Sequence, residues 1–327
     1  MAKVVMGLGT AHSPMLSTPP DIYPLHAERD MGNPELLWKD GKFYSYAELL
    51  EKTPANMQEL ISMDRWNERH EASQRAIDRV GDLLREANPD VVVIVGDDQE
   101  EFFFEDNRPS ISIFHGDKLI NHAHDFSTLP PSFQAAAWGW YSETEESYEC
   151  HPELATHIVK SLIAEDFDVS TMKMQPEKYS VGHAFSFVER RIMKDHRIPI
   201  VPVMLNTFYP PNQPNAKRCF NLGQGIRRAI ESWDSNQKVL VMASGGLSHF
   251  VVLEELDRMV IDAFEAKDWS RVTSIPETMF QSGTSEIKNW ITVAGALQDR
   301  SFELIEYVAG YRSPAGTGGG WTWAQWK

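Results

Sequence analysis

Val91-Val92-Val93-Ile94-Val95-Gly96-Asp97-Asp98-Gln99 is the stretch that decides the fold. Consecutive apolar, mostly β-branched residues leave the run no polar face, so it reads as a central strand covered on both sides. The Gly-Asp-Asp-Gln that closes it puts polar side chains at the strand's carboxyl end, where open α/β sheets bind their ligands. On the upstream side, residues 64–87 carry apolar positions at helical spacing (Trp66, Ala72, Ala76, Ile77, Val80, Leu83, Leu84) and stop at Asn88-Pro89.

The same strand-then-polar pattern recurs along the chain. Residues 3–9 read as a first strand that runs through Gly7 and Gly9 to His12, with Pro14 ending it. Residues 198–205 and 238–243 read as further buried strands, the latter breaking at Ser244-Gly-Gly-Leu-Ser-His249. Helices are expected over 151–165, 218–233, 253–267 and 285–297. This alternation predicts one α/β domain over residues 1–327, with a central, mostly parallel or mixed sheet flanked by helices on both faces. Two segments stand apart. Residues 17–54, rich in Pro, Asp and aromatics within a 17–89 insertion, read as an irregular surface excursion. The Gly- and Trp-rich tail, 313–327, is too apolar for a disordered end and is expected to pack on the site as a flap or on a neighbouring subunit, which makes a homodimer reasonable.

Composition narrows the function. A chain of 327 residues with 42% hydrophobic residues can bury a sizeable core. The formal net charge of −16 argues against nucleic acid or an anionic membrane as partner. No apolar run is long enough to span a bilayer, and no signal-peptide core follows Met1. With only two cysteines there is no thiolate cluster, so a metal must be held by His and carboxylate, and a cytoplasmic location is expected.

Four strand ends or loops carry polar groups able to converge: His12, Asp97 to Gln99, the neighbourhood of His183, and Ser248-His249 with Glu254 and Glu255. Two neutral donors and one carboxylate on one face of a metal leave the other face open, as in non-haem Fe(II) enzymes. Glu255, at a helix start, is the preferred carboxylate. Glu100 and Glu101 read as a solvated edge, and His249 as a residue that fixes the Gly-Gly turn.

These segments resemble the class III extradiol ring-cleavage dioxygenases, in order and over most of the chain. The matching stretches are 7–16 around His12, 91–102, 151–169, 181–185 around His183, 201–232, 244–249, 255–257 and 295–297. Residues 17–89 have little counterpart in the short form of that family, and its small helical partner subunit is not evident here. The resemblance implies Fe(II), with Mn(II) as an alternative, bound by His12 and Glu255, and His183 as acid/base beside a catecholic or aminophenolic substrate that reacts with O₂. It also matches His151 to a pocket histidine, although a residue before Pro152 at a helix start equally reads as an N-terminal cap.

One departure bears on the metal. Where that family has a ligand histidine, this chain has Gln99, which can offer only a neutral amide oxygen. Gln99 is taken as the third ligand, with Asp97 or Asp98, or His122 or His124 from a loop, as alternatives. The substitution keeps open a different metal-assisted reaction or a non-catalytic small-molecule binder on the same scaffold. Lys217, Arg218 and Arg108 are candidate cations for a substrate carboxylate, beside their plainer reading as surface charge.

Overall fold

A computed structural model describes residues 1–54 and 56–327. Its centre is a nine-stranded mixed sheet. In chain order the strands are β1 (Lys3–Thr10), β2 (Val91–Asp97), β3 (Ile111–Phe114), β4 (Ser170–Met172), β5 (Ile200–Leu205), β6 (Lys238–Ser244), β7 (His249–Val251), β8 (Phe302–Ala309) and β9 (Thr317–Trp326). Across the sheet they run β7-β9-β1-β6-β2-β5-β3-β4, with β8 on the other side of β9. The middle strands β1, β6, β2 and β5 are mutually parallel, whereas β9 is antiparallel to β1 and β3 is antiparallel to β5.

Strand β2 is buried at every position, and its side chains alternate between two cores. Val91, Val93 and Val95 enter one core with Ile158, Ile226 and Ile291. Those three come from helices α3 (Pro152–Ala164), α5 (Ala216–Ser232) and α7 (Ile287–Ala296); the other helices numbered here are α1 (Tyr23–Asp30), α2 (Met63–Ala87), α4 (His183–Phe187) and α6 (Glu254–Glu265). Val92 and Ile94 enter the opposite core with Ile77, Val80 and Leu84 of α2 and Phe187 of α4. Each such aliphatic side chain contributes about 1.5–3 kcal/mol on full burial. That is why the run has no polar face.

Parallel registry brings the carboxyl ends together. Thr10 lies opposite Ser244, Ala243 opposite Val95, and Asp97 opposite Leu205. His12, Ser244 and Asp97 therefore emerge at one edge of the sheet. Helix α7 lies against the same core, and its close contact with α5 depends on glycine. A Cβ on Gly223 would stand 1.8 Å from the Thr292 carbonyl oxygen, and one on Gly295 would stand 2.1 Å from that of Phe220.

Two expectations are corrected. The tail is a strand of the sheet rather than a flap: residues 317–326 form β9, buried throughout and paired with β1, β7 and β8. Its apolar character reflects a strand inside the sheet. The 17–54 excursion is more ordered than its composition suggests. It contains α1, a ribbon pairing Leu36–Leu37 with Phe43–Tyr44, and a helix over Tyr46–Lys52 closed by a Ser45/Glu48 capping box. Among the described residues, no helix is long and apolar enough to cross a membrane.

Candidate metal centre

At the carboxyl edge of the parallel strands His12, Asp97, His183 and Glu286 each offer one ligand atom, all within 4.8 Å of one another. His12 follows β1, Asp97 ends β2, His183 begins α4, and Glu286 directly precedes α7. Three of the four are buried.

The hydrogen bonds fix which nitrogen each imidazole presents. Ser244 Oγ donates to the Ala184 carbonyl (2.6 Å), so it accepts from Nδ1 of His12 at 3.0 Å. In His183, Nδ1 lies 2.8 Å from Oε1 of Glu101, which also accepts from the His183 backbone N–H. In His249, Nδ1 lies 3.1 Å from the Leu247 carbonyl, which can only accept. Each ring is thus held by its Nδ1–H and turns Nε2 towards the centre, the orientation that outer partners impose on metal-ligating histidines. Nε2 of His183 lies 3.2 Å from Nε2 of His12, and Nε2 of His12 lies 3.3 Å from Oε2 of Glu286.

Two ring nitrogens with their lone pairs facing at this distance repel unless a proton or a cation lies between them. Burial disfavours a charged His183, but the Glu101 carboxylate, with Asp97 and Glu286, pushes its pKa up to about 10. Burial likewise pushes the Glu286 carboxyl up, but the imidazoles of His249, His12 and His183 pull it down to about 2. Asp97 is held above the usual carboxylate range by burial and by Glu286. An anionic, imidazole-rich, inward-facing donor set of this kind fits a divalent cation.

Several predicted residues lie elsewhere. Glu255 is exposed on α6 and lines a separate surface groove, because the buried face of that helix is carried by Leu256, Val260 and Ile261. The carboxylate beside His12 is Glu286 instead. His151 is the N-cap of α3, its Nδ1 accepting from the Leu154 N–H at 3.2 Å, and its ring packs against Trp233 outside the cavity. Gln99 does reach the centre, but through its amide nitrogen, which donates to Oδ2 of Asp97 (2.8 Å) and Oε1 of Glu286 (3.3 Å). In this orientation Gln99 offers the centre its N–H rather than its oxygen, and of the alternatives Asp97 stands among the donors. Asp98 builds the following turn by accepting from the Phe102 and Phe103 N–H groups. His122 pairs with Glu145 and His124 stacks on Tyr141, both away from the donor set.

Sequence reasoning missed Glu286, Glu101 and part of the role of His249. The first stands directly before a helix whose every residue is buried. A carboxylate at the head of such a helix was the available signal. Glu101 is partly buried against His183 rather than solvated. His249 does pack on the Gly-Gly turn, where a Cβ on Gly246 would stand 2.3 Å from its Cε1, but its ring also lines the cavity.

That cavity, about 810 Å³, opens over the donor set and is walled by Phe133, Trp140, Tyr141, Phe208 and Phe250. The indole N–H of Trp140 donates to the His12 carbonyl at 3.2 Å, tying wall to centre. The inserted segment supplies the outer rim through His26, Arg29, Asp30, Asn33 and Glu35. Arg108 instead pairs with Glu100 and stacks on Tyr209, and Arg218 covers Phe167, so neither lines the cavity; nor does Lys217.

Residues 59–320 match the profile of a family described as the catalytic LigB subunit of aromatic ring-opening dioxygenase. A gallate dioxygenase of Pseudomonas putida is 33% identical over 162 residues, which cover 45% of this chain and 46% of that protein. A 2,3-dihydroxyphenylpropionate/2,3-dihydroxicinnamic acid 1,2-dioxygenase of Cupriavidus necator is 26% identical over 175 residues, covering 54% and 48%. One of the same name from Comamonas testosteroni is 24% identical over 207 residues, covering 63% and 54%. The matched region spans about half the length of these curated relatives.

Proposed function

The chain belongs to the family of the catalytic LigB subunit of aromatic ring-opening dioxygenases, and on that premise we propose that it opens the ring of a catecholic or aminophenolic substrate with O₂, using Fe(II). The observation that carries this reading is the convergence of inward-turned imidazole nitrogens and carboxylates at the floor of an aromatic-walled cavity.

His12, His183 and Glu286 are the residues that would hold the ion, a two-imidazole, one-carboxylate set, with Asp97 as a neighbouring fourth donor. When bound, Fe(II) supplies open coordination positions for a chelating aromatic and for O₂, and the electron transfer between them. Everything else falls to the chain. Glu101 and Ser244 keep the two ligand rings aimed. Gln99 and Asn289 donate to Asp97, and the Gly246 N–H donates to Glu286, so the carboxylates are oriented before any ion arrives. The aromatic walls exclude water and accept the flat face of the substrate.

The acid/base role moves from His183 to His249. Nε2 of His183 is committed opposite His12, whereas Nε2 of His249 faces the cavity, 3.7 Å from Glu286, and makes no hydrogen bond among the described residues. Its Nδ1–H is fixed on Leu247, so Nε2 is the atom that takes a phenolic proton and later returns it.

A second reading follows from Asp97. Two carboxylates with only two imidazoles make a harder donor set, which also suits a metal-assisted reaction without O₂. One experiment separates the two: anaerobic loading with Fe(II), metal analysis, then O₂ uptake with a panel of catechols and aminophenols. About one iron per chain with substrate-dependent O₂ uptake is expected. Iron bound without uptake favours the second reading, and a chain that takes up no iron overturns both.

A further inference from the structure

We propose that Asp257 is a positioning residue for the acid/base, aiming the His249 ring through the Leu247–Ser248 peptide group; the inference rests on the assignment of His249 to proton transfer. Asp257 lies in the first turn of α6, is fully buried and does not line the cavity. Its Oδ1 accepts from the Ser248 N–H at 2.9 Å and its Oδ2 from the Ser248 hydroxyl at 2.7 Å. The carbonyl of that same peptide group, on Leu247, is the acceptor that holds Nδ1–H of His249 at 3.1 Å. The Leu247–Ser248 bond is trans, so its N–H and C=O lie in one plane and point opposite ways. Gripping the N–H on one side therefore aims the carbonyl on the other. A carboxylate that never reaches the cavity thus sets which nitrogen of His249 carries the proton and where Nε2 points.

Burying a carboxylate is costly, and this one is held by three neutral donors rather than by a cation. Two belong to Ser248, the residue before His249, and the third is the Tyr307 hydroxyl of β8 at 2.8 Å. The sheet makes room for it: a Cβ on Gly320 of β9 would stand 2.1 Å from Oδ2. An apolar side chain would fill the same space without the cost, so what the carboxylate contributes is its grip on Ser248. The neighbouring backbone is tied down independently. Ser248 Oγ accepts from the Leu253 N–H at 2.9 Å, the Ser248 carbonyl from the Gly320 N–H at 2.8 Å, and Thr284 Oγ1 from the His249 N–H at 3.0 Å. These bonds fix the chain on both sides of the ring, and Asp257 acts on the one peptide group whose carbonyl orients it.

The test reads the ring directly. In the full chain loaded with Zn(II), a diamagnetic stand-in for Fe(II), labelled histidine and long-range nitrogen–proton correlation spectra show which nitrogen of His249 is protonated, its signal being assigned by loss in His249→Phe. At a pH where the imidazole is neutral, the wild type should show the Nδ1–H tautomer alone. Asp257→Ala should give a mixture of tautomers, and so should Gly320→Ala, whose methyl group displaces the carboxylate. A ring that stays Nδ1–H in both variants, or that is not Nδ1–H in the wild type, overturns the inference. Asp257→Asn keeps the side chain's shape and an oxygen for the Ser248 N–H but loses the charge, so it carries the test if the alanine variants do not fold. In the Fe(II)-loaded enzyme its kcat should fall about fivefold, the difference between a charged and a neutral acceptor, with KM unchanged and no further fall when it is added to His249→Phe. An equal fall in both backgrounds means that Asp257 supports the fold and does not act through His249, and overturns the inference. No O₂ uptake by the wild type with any catechol or aminophenol sinks the ring-cleavage reading alone, because the tautomer is read without turnover.

Discussion

Nε2 of His12 and Nε2 of His183 face each other at 3.2 Å, each ring pinned by its other nitrogen, to Ser244 in one case and to Glu101 in the other. Neither ring can rotate its lone pair away without breaking a buried or partly buried hydrogen bond. Despite burial, Glu101, Asp97 and Glu286 raise the His183 pKa to about 10, so a proton bridges the two nitrogens, and a divalent cation would take its place with Glu286, 3.3 Å from His12, supplying the balancing charge.

His12→Ala and Glu286→Ala are therefore expected to lower Fe(II) affinity by about a hundredfold or more, while Glu255→Ala leaves it within experimental error. Calorimetric titration of the apoprotein measures all three. Iron affinity that falls with Glu255→Ala and holds in the other two would place the centre on α6 instead.

Glu101 touches His183, not the ion, so its loss should act through ring orientation. Glu101→Gln keeps an acceptor oxygen for the Nδ1–H but removes the charge. Metal affinity should fall by about 10–100-fold, the range for outer partners of metal-bound histidine, and Glu101→Ala should fall further. Both variants should retain the far-ultraviolet circular dichroism of the wild type, because the carboxylate belongs to the site and not to either core.

Gly246 gives a handle on His249 without touching its chemistry. A methyl group there meets Cε1 of the imidazole at 2.3 Å and Nε2 at 2.9 Å, so Gly246→Ala must swing the ring out of line. Its kcat should drop towards that of His249→Phe, about 10²–10⁴-fold below wild type, while iron remains bound. If Gly246→Ala and His249→Phe both turn over at wild-type rates, His249 is not the acid/base.

The strands were legible because their signal is local. Val91 to Val95 declares a buried strand within five residues, and helix α2 repeats its apolar spacing over seven turns' worth of chain, from Met63 to Ala87. The site was only half legible because its contacts are not local. His12 and Ser244 are 232 residues apart, and His183 and Glu101 are 82 apart, so no spacing rule joins them. Glu255 looked right because a carboxylate at a helix start is a good ligand position; so is Glu286, and only the packing of α7 against α5 and the sheet decides between them. The tail misled for a related reason: an apolar, glycine-rich end reads alike whether it covers a site or fills the middle of a sheet.

Glu189 tests the electrostatics away from the centre. It is 1% exposed, and burial pushes its carboxyl up to about 8, with Arg197 lowering it only in part. Its Oε2 has no hydrogen-bond partner among the described residues. In the unfolded chain the same group titrates near its ordinary value of 4.5. Between these two values the folded state binds more protons than the unfolded one, so stability falls as pH rises from about 4.5 to about 8 and then levels off. The full span corresponds to a loss on the order of 5 kcal/mol. Glu189→Gln keeps the shape of the protonated acid and cannot ionise. Relative to wild type it should be near neutral at pH 5 and increasingly stabilising towards pH 9, read from urea midpoints across that range. A Glu189→Gln midpoint difference that stays constant with pH would mean that this carboxyl is ionised in the folded protein throughout, paired more strongly with Arg197 than its burial allows.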